Sequence, residues 1–246
     1  MELPLERNQP DDYGEVGVTM RALILSDIHG SALAARQALS FFEKFNCEKI
    51  FLLGDTLYHG PRNPLPAGHG PMQVVEALAP YKDRIIAVRG NCDADVDLMM
   101  LDFPIENEYK IVEDNGFHLF LSHGHIFMPD CFPKNALESI ESTGSAHSQS
   151  QSTDSSQSQE ASKPQIDAYL FGHTHVWKLE KNFRDVLMVN PGSTSLPKGG
   201  NPPTFGLYES MPANGDTPAR AKFNIYTLED GAEIKSYEIC QDHSRH

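Results

Sequence analysis

The chain has 246 residues, of which 39% are hydrophobic, enough for one full buried core, and a formal net charge of −14. That charge excludes nonspecific attraction to bulk nucleic acid or to an anionic membrane, since both need a basic surface. Cys47, Cys92, Cys131 and Cys240 show neither CxxC pairing nor the density of a secreted disulfide scaffold, no apolar stretch approaches ~20 residues, and the first residues are acidic and polar, so a cytoplasmic protein with reduced thiols and no membrane partner is expected.

Residues 1–19 carry Glu, Asp, Pro and Gly without apolar periodicity and read as a flexible extension before a single domain over 20–240. The first of six short apolar runs is Ala22–Leu25, which breaks off into Ser-Asp27-Ile-His29. From Ser31 to Phe45 the residues Leu33, Ala34, Ala38, Leu39, Phe42 and Phe45 fall at helical spacing and predict an amphipathic helix. It returns the chain to the second run, Ile50–Leu53, which ends in Gly-Asp55, completing a βαβ unit. Pro71–Tyr81 predicts another crossover helix before Ile85–Val88, which ends in Arg-Gly-Asn91. Leu119–Leu121 ends in Ser-His123. A Ser/Gln-rich stretch at about 139–163 has no apolar pattern and reads as a disordered surface insert. Ala168–Phe171 then ends in Gly-His173-Thr-His175 and Val186–Val189 in Asn190-Pro-Gly-Ser193. Thr204–Tyr208, Ala221–Thr227 and Ile234–Ile239 read as edge-forming antiparallel strands that make a second sheet, and 241–246 as a tail.

Short apolar runs bounded by Gly, Asp and Asn, alternating with helices, are the pattern of an α/β sheet, and side chains just beyond its strand ends converge on one crevice. Seven oxygen and nitrogen donors would meet there: Asp27, His29, Asp55, Asn91, His123, His173 and His175. Seven exceed the needs of one ion and include no thiolate, which points to a pair of divalent ions with mixed nitrogen and oxygen ligation. Asp55 suits the bridge, because one carboxylate offers two oxygens to two adjacent ions. Ser193 reads as a turn residue under the site, since no triad partners surround it.

The blocks Asp27-x-His29, Gly54-Asp55, Gly90-Asn91-Cys92-Asp93, His123-Gly124 and Gly172-His-Thr-His175, in this order, resemble the calcineurin-like metallophosphoesterase superfamily. With Gly54-Asp-Thr-Leu-Tyr-His-Gly-Pro-Arg-Asn63, Asn190-Pro-Gly-Ser193 and Pro197-Lys-Gly-Gly-Asn201, the match is to its bacterial YfcE-type phosphodiesterase branch, over roughly Met20 to Ile239. The resemblance implies a two-sheet α/β/β/α sandwich. It also implies that Asp27, His29, Asp55 and His175 hold one metal, that Asp55, Asn91, His123 and His173 hold the other, and that the ions are Mn²⁺, with Fe²⁺ and Zn²⁺ left open by the donor types. The activity expected is hydrolysis of a small phosphodiester by a hydroxide bridging both ions.

Neighbouring residues carry further expectations. Arg62 and Asn63 suit nonbridging phosphate oxygens, because a guanidinium matches that geometry bidentately. Many phosphomonoesterases of the superfamily place a histidine where Cys92 stands, and a thiol is a poorer acid near neutral pH, which disfavours poor leaving groups. The arginine of the protein phosphatases is likewise replaced, at His59, which is a candidate substitute acid. Asp93 is expected to orient a metal-bound histidine, and His125, two residues after His123 on an extended chain, to lie behind the ligands. Other readings of the same residues are a non-catalytic, retromer-type protein-binding scaffold, a phosphomonoesterase and a nuclease. Related enzymes often self-associate, so a homo-oligomer is also an expectation.

Overall fold

The computed structural model describes residues 20–105, 107–127, 129–136 and 165–241. The expected extension over 1–19, the expected insert over 139–163 and all but the first residue of the 241–246 tail lie outside them. Strand β1 (Met20–Leu25) alternates between two cores. Leu23 and Leu25 face a helix-covered layer, while Ala22 and Ile24 face a gap between two sheets, the period-two consequence of a pleated backbone. Helix α1 (Ala32–Lys44) follows, capped by Ser31, whose Oγ accepts the Ala34 N–H at 3.2 Å. It buries Ala35, Ala38, Leu39 and Phe42 against the first layer. Strand β2 (Lys49–Leu52) lies parallel to β1 and repeats the alternation, with Ile50 and Leu52 under the helices and Phe51 between the sheets.

Helix α2 (Pro71–Leu78) is shorter than the predicted crossover, because the chain tightens into a 3₁₀ segment over Ala79–Arg84 at Pro80. It returns to β3 (Ile85–Ala87), parallel to β2. Three elements were not anticipated. Helix α3 (Asp95–Met100) has only six residues, β4 (Tyr109–Asp114) is mostly half-exposed, and β7 (Lys178–Lys181) buries only Leu179 fully, so none carries a strong apolar signal.

The second sheet consists of β4, β5 (Phe117–Ser122), β6 (Ala168–Leu170), β8 (Leu187–Asn190) and β7, in the order β4-β5-β6-β8-β7. Its central strands β5, β6 and β8 are parallel to one another. Leu119, Leu121, Leu170 and Val189 pack into the gap between the sheets, while Phe120, Tyr169 and Met188 face outward onto Phe132 and Ala136.

The C-terminal strands β9 (Thr204–Met211), β10 (Arg220–Thr227) and β11 (Glu233–Cys240) are antiparallel as expected, but they do not form the second sheet. β9 pairs with β1 and extends the first sheet to β11-β10-β9-β1-β2-β3. The free edge of β1 was open because both crossovers leave on its β2 side. The result is two mixed sheets packed face to face and flanked by helices, with the parallel strands of both sheets ending at one cleft.

Candidate active site

The loop after β1 supplies Asp27 and His29, the loop after β2 Asp55, and the loop after β3 Asn91. The second sheet supplies His123 after β5, and His173 and His175 after β6. Asp27, His29, Asp55, His173 and His175 all have positive φ, between 49° and 67°. L-residues rarely adopt that region, and residues held there cluster at functional sites.

Asp27 is fully buried, and its two oxygens differ. Oδ2 accepts from the Ser26 hydroxyl at 2.7 Å and the His173 N–H at 3.1 Å. Oδ1 has no hydrogen-bond partner, yet lies 3.3 Å from His175 Nε2, 3.7 Å from His29 Nε2 and 4.0 Å from His123 Nε2. In each of these rings Nδ1 faces a backbone carbonyl: Tyr58 for His29 at 2.8 Å, Leu53 for His123 at 2.6 Å and Leu196 for His175 at 2.6 Å. A carbonyl only accepts, so Nδ1 carries a proton and each ring turns its Nε2 inward. The Nε2 atoms of His29 and His175 approach to 3.1 Å.

Asp55 Oδ1 accepts the Cys92 N–H at 2.8 Å, which leaves Oδ2 turned to His123 Nε2 at 3.3 Å and His29 Nε2 at 3.7 Å. Asn91 Oδ1 lies 2.7 Å from His173 Nδ1 and 3.1 Å from His123 Nε2. The seven predicted donors are thus brought together, with Asp27, His29, Asp55, His123 and His175 in overlapping clusters and Asn91 joining His123 to His173. Carboxylate, amide and imidazole acceptors aimed at one another with an orphaned, fully buried oxygen among them are a donor set that fits divalent cations.

Electrostatics bears this out. Burial opposes charge on Asp27 and Asp55, but the surrounding histidines hold both carboxyls below the usual range. Burial likewise opposes a proton on His123, yet Asp55 and Asp27 raise it to about 9; His29 is raised against the same penalty by Asp27. His173 and His175 are lowered, chiefly by burial. Without a metal, protons on His123 and His29 balance the buried carboxylates.

Among the other expected residues, Arg62 and Asn63 line a cleft of about 760 Å³ over the donors, with Asn91, Cys92, His173 and His175. Cys92 is pushed up to about 12, first by burial and then by the Asp55 carboxylate, so it is a neutral thiol. Among the described residues no hydrogen bond joins the Asp93 carboxylate to a histidine. Its Oδ2 accepts the N–H groups of Asp55 and Gly90, and its Oδ1 that of Thr56, each at 2.8 Å. It locks the β2 and β3 loops together, a backbone role in place of the histidine-orienting one. His59 does not line the cleft; its ring meets Tyr58 and His69 edge-on. His125 packs against His123 and His173, with centroids 5.4 and 6.1 Å away. Ser193 Oγ donates to the Asp27 carbonyl at 2.7 Å, as a turn residue would. Two contributors were missed. Lys198 lines the cleft from the loop after β8, where only the Pro197-Lys-Gly-Gly-Asn201 block signalled it. Asn190 Nδ2 donates to Gly172 O at 2.8 Å and Thr174 Oγ1 at 3.0 Å, holding the loop of His173 and His175.

The chain is 38% identical over 191 residues to phosphodiesterase YfcE of Escherichia coli strain K12, an alignment covering 78% of this chain and 88% of that protein. The solved structure of E. coli YfcE, described as a phosphoesterase, superposes with a TM-score of 0.68 at 34% identity, over 89% of this chain and 98% of that one. Vacuolar protein sorting 29 from Cryptosporidium parvum shares the fold, with a TM-score of 0.57 at 17% identity, over 92% of this chain and all of that one. The calcineurin-like phosphoesterase superfamily domain matches residues 20–211. With that match and the relative's identity on top of the shared architecture, the chain belongs to the calcineurin-like phosphoesterase superfamily.

Proposed function

We propose that the chain is a phosphodiesterase that hydrolyses small phosphodiesters with the aid of two divalent ions. The observation that carries this reading is the orphaned Asp27 Oδ1 within 4.0 Å of three imidazole nitrogens whose opposite edges are tied to carbonyls. Asp27, His29 and His175 would hold one ion, Asn91, His123 and His173 the other, with Asp55 shared. When bound, such ions polarise the phosphoryl group and lower the pKa of attacking water. The harder oxygen donors of Asp27, Asp55 and Asn91 favour Mn²⁺, with Fe²⁺ or Zn²⁺ as alternatives.

The protein's own residues then set substrate choice. Arg62, Asn63 and Lys198, lining one cleft, bind anionic oxygens of the substrate. Asp93 fixes Asp55 relative to Asn91 through three backbone N–H groups. Cys92, held as a neutral thiol with its pKa near 12, is a weak proton donor to a leaving group at neutral pH. His59, whose ring packs edge-on against Tyr58 and His69, is not among the residues that line the cleft and takes no proton-donating role in this reading. Diesters with acidic leaving groups therefore suit the site better than monoesters of alkyl alcohols. The reading supposes a cytoplasmic protein acting on a small molecule, with no bulk nucleic-acid or membrane partner. No helix among the described residues is long and apolar enough to cross a membrane. Homo-oligomerisation is open to measurement by light scattering.

Hydrolysis of bis(p-nitrophenyl) phosphate and p-nitrophenyl phosphate by metal-stripped protein refilled with Mn²⁺ tests the proposal. Metal-dependent diester turnover that falls at least ~10²-fold in Asp55→Asn and His123→Ala is the expected result. Metal binding without turnover of either ester would overturn it in favour of the protein-binding scaffold.

A further inference from the structure

His173 lines two cavities. One is the polar cleft of Arg62, Asn63 and Lys198. The other, of about 600 Å³, is lined by His125, Phe171 and Trp177 together with the charged residues Asp130, Glu180 and Lys235. Its floor is open because Gly124 has no side chain there: a Cβ would meet Phe171 at 3.3 Å. Trp177 is half-buried in this wall against the core between the sheets, but among the described residues it has no ring contact, whereas Phe171 in the same wall packs on the Tyr169 ring. A half-buried indole that lines a hollow without a ring partner is a platform on which a planar ring can stack, and the charged side chains beside it suit a ring with a polar edge.

We infer that this pocket binds a planar heteroaromatic ring of the nucleobase type, carried on one arm of the diester. The step rests on the phosphodiesterase reading for what lies between the cavities. A diester bears two organic arms on one phosphorus, and a phosphorus at the donors would send one arm into each cavity past His173. The cationic cleft takes the polar or anionic arm and the Trp177 pocket the ring. A substrate with a single small arm would leave the indole without its partner.

Trp177 is the chain's one tryptophan, so selective excitation reports on this pocket alone and needs no turnover. The intact protein is titrated with adenosine 5′-monophosphate, ribose 5-phosphate and inorganic phosphate. Saturable quenching by the nucleotide at least ~tenfold tighter than by ribose 5-phosphate is expected, the low end of what a base stacked on an aromatic ring contributes. In parallel, thymidine 5′-(p-nitrophenyl) phosphate is compared with methyl p-nitrophenyl phosphate. The nucleoside ester should have the higher kcat/KM by ~tenfold or more, through KM, and that preference should collapse in Trp177→Ala and persist in Trp177→Phe, with the methyl ester within about twofold throughout. Equal quenching by nucleotide and sugar phosphate, or equal slowing of both esters in Trp177→Ala, would overturn the inference. Selective quenching with no turnover of any ester would leave the ring pocket standing and remove the phosphodiesterase reading; turnover without base preference would do the reverse.

Discussion

Gly54 separates the two loops that carry Asp55 and Asn91, and replacing it with alanine tests how tightly the site depends on their spacing. A Cβ at Gly54 would lie 2.6 Å from Gly90 N, 2.7 Å from Gly90 Cα and 2.9 Å from His123 Nδ1. Ordinary contact begins at 3.4 Å, so the β2 and β3 loops must part by about 0.8 Å, and the Nδ1–H of His123 is pushed off the Leu53 carbonyl. Displacements of this size at a reacting centre cost about 10²-fold in turnover, and loss of a carbonyl that orients a metal-binding histidine costs about 10–100-fold in metal affinity. Gly54 also has φ +90°, which adds a backbone cost of about 1–2 kcal/mol. Gly215→Ala supplies the control, since its φ is +56° and nothing lies within 4 Å of its Cβ. It carries the conformational cost alone. Thermal unfolding, Mn²⁺ titration and diester turnover are measured on both variants. Gly215→Ala should lose only the stability that φ costs, Gly54→Ala about 1–3 kcal/mol more from overpacking, and only Gly54→Ala should lose turnover and metal affinity. A folded Gly54→Ala whose turnover stays within about threefold of Gly215→Ala would refute the claim that this contact sets the site.

Asp93→Asn should lower unfolding free energy by about 1–3 kcal/mol and weaken Mn²⁺ binding, because whichever way the amide turns, at least one of the buried N–H groups of Asp55, Thr56 and Gly90 loses its acceptor and meets another donor. Chemical denaturation with calorimetric metal titration checks this, and unchanged metal affinity would contradict it. Metal uptake should release protons at pH 7 and tighten as pH rises toward 9, since the metal-free protein holds His123 protonated up to about 9; titration in two buffers of different ionisation enthalpy counts the protons. The same raised value means that, in metal-free protein, His123 contributes stability fully below its unfolded value of 6.5, which is lost as pH climbs through about 9. The melting temperature of stripped protein should fall over that window, and a flat profile would contradict the assignment. Saturating Mn²⁺, at ~1,000 times its dissociation constant, should add about 4 kcal/mol and raise the melting temperature by roughly 8–16 °C, read by scanning calorimetry.

The strands that hold the site were legible because each is a run of Val, Ile, Leu or Phe buried on both faces, such as Ile50–Leu53 and Val186–Val189, with a donor directly after it. The donors were legible for the same reason: a buried strand ending in Asp, Asn or His wastes burial unless the polar end has a use. Sheet membership was not. Nothing local to Thr204–Met211 says that it pairs with Met20–Leu25, nearly two hundred residues away, because strand pairing is set by which edge remains open after the crossovers are placed. The backbone role of Asp93 was equally out of reach, since a carboxylate next to ligand positions has no sequence feature that separates an acceptor for amides from an acceptor for imidazole. Lys198 was hidden by distance from any apolar run, and for His59, standing where the protein phosphatases carry an arginine did not put its ring among the residues that line the cleft.

Shared fold alone does not decide between hydrolase and scaffold, since one fold can carry unrelated functions. The backbone of the site does bear on it. Asp27, His29, Asp55, His173 and His175 sit in left-handed conformations that cost about 1 kcal/mol or more each, a sum comparable to the whole stability of a domain. To this is added a fully buried Asp27 oxygen with no hydrogen-bond partner. Docking a partner on an outer face gains nothing from any of these arrangements, and apolar side chains would fill the same volume with less strain. Positive charge placed at the convergence, as a bound cation would supply it, would turn these acceptors into ligands, and that is the reason to test this chain for catalysis before testing it for partners.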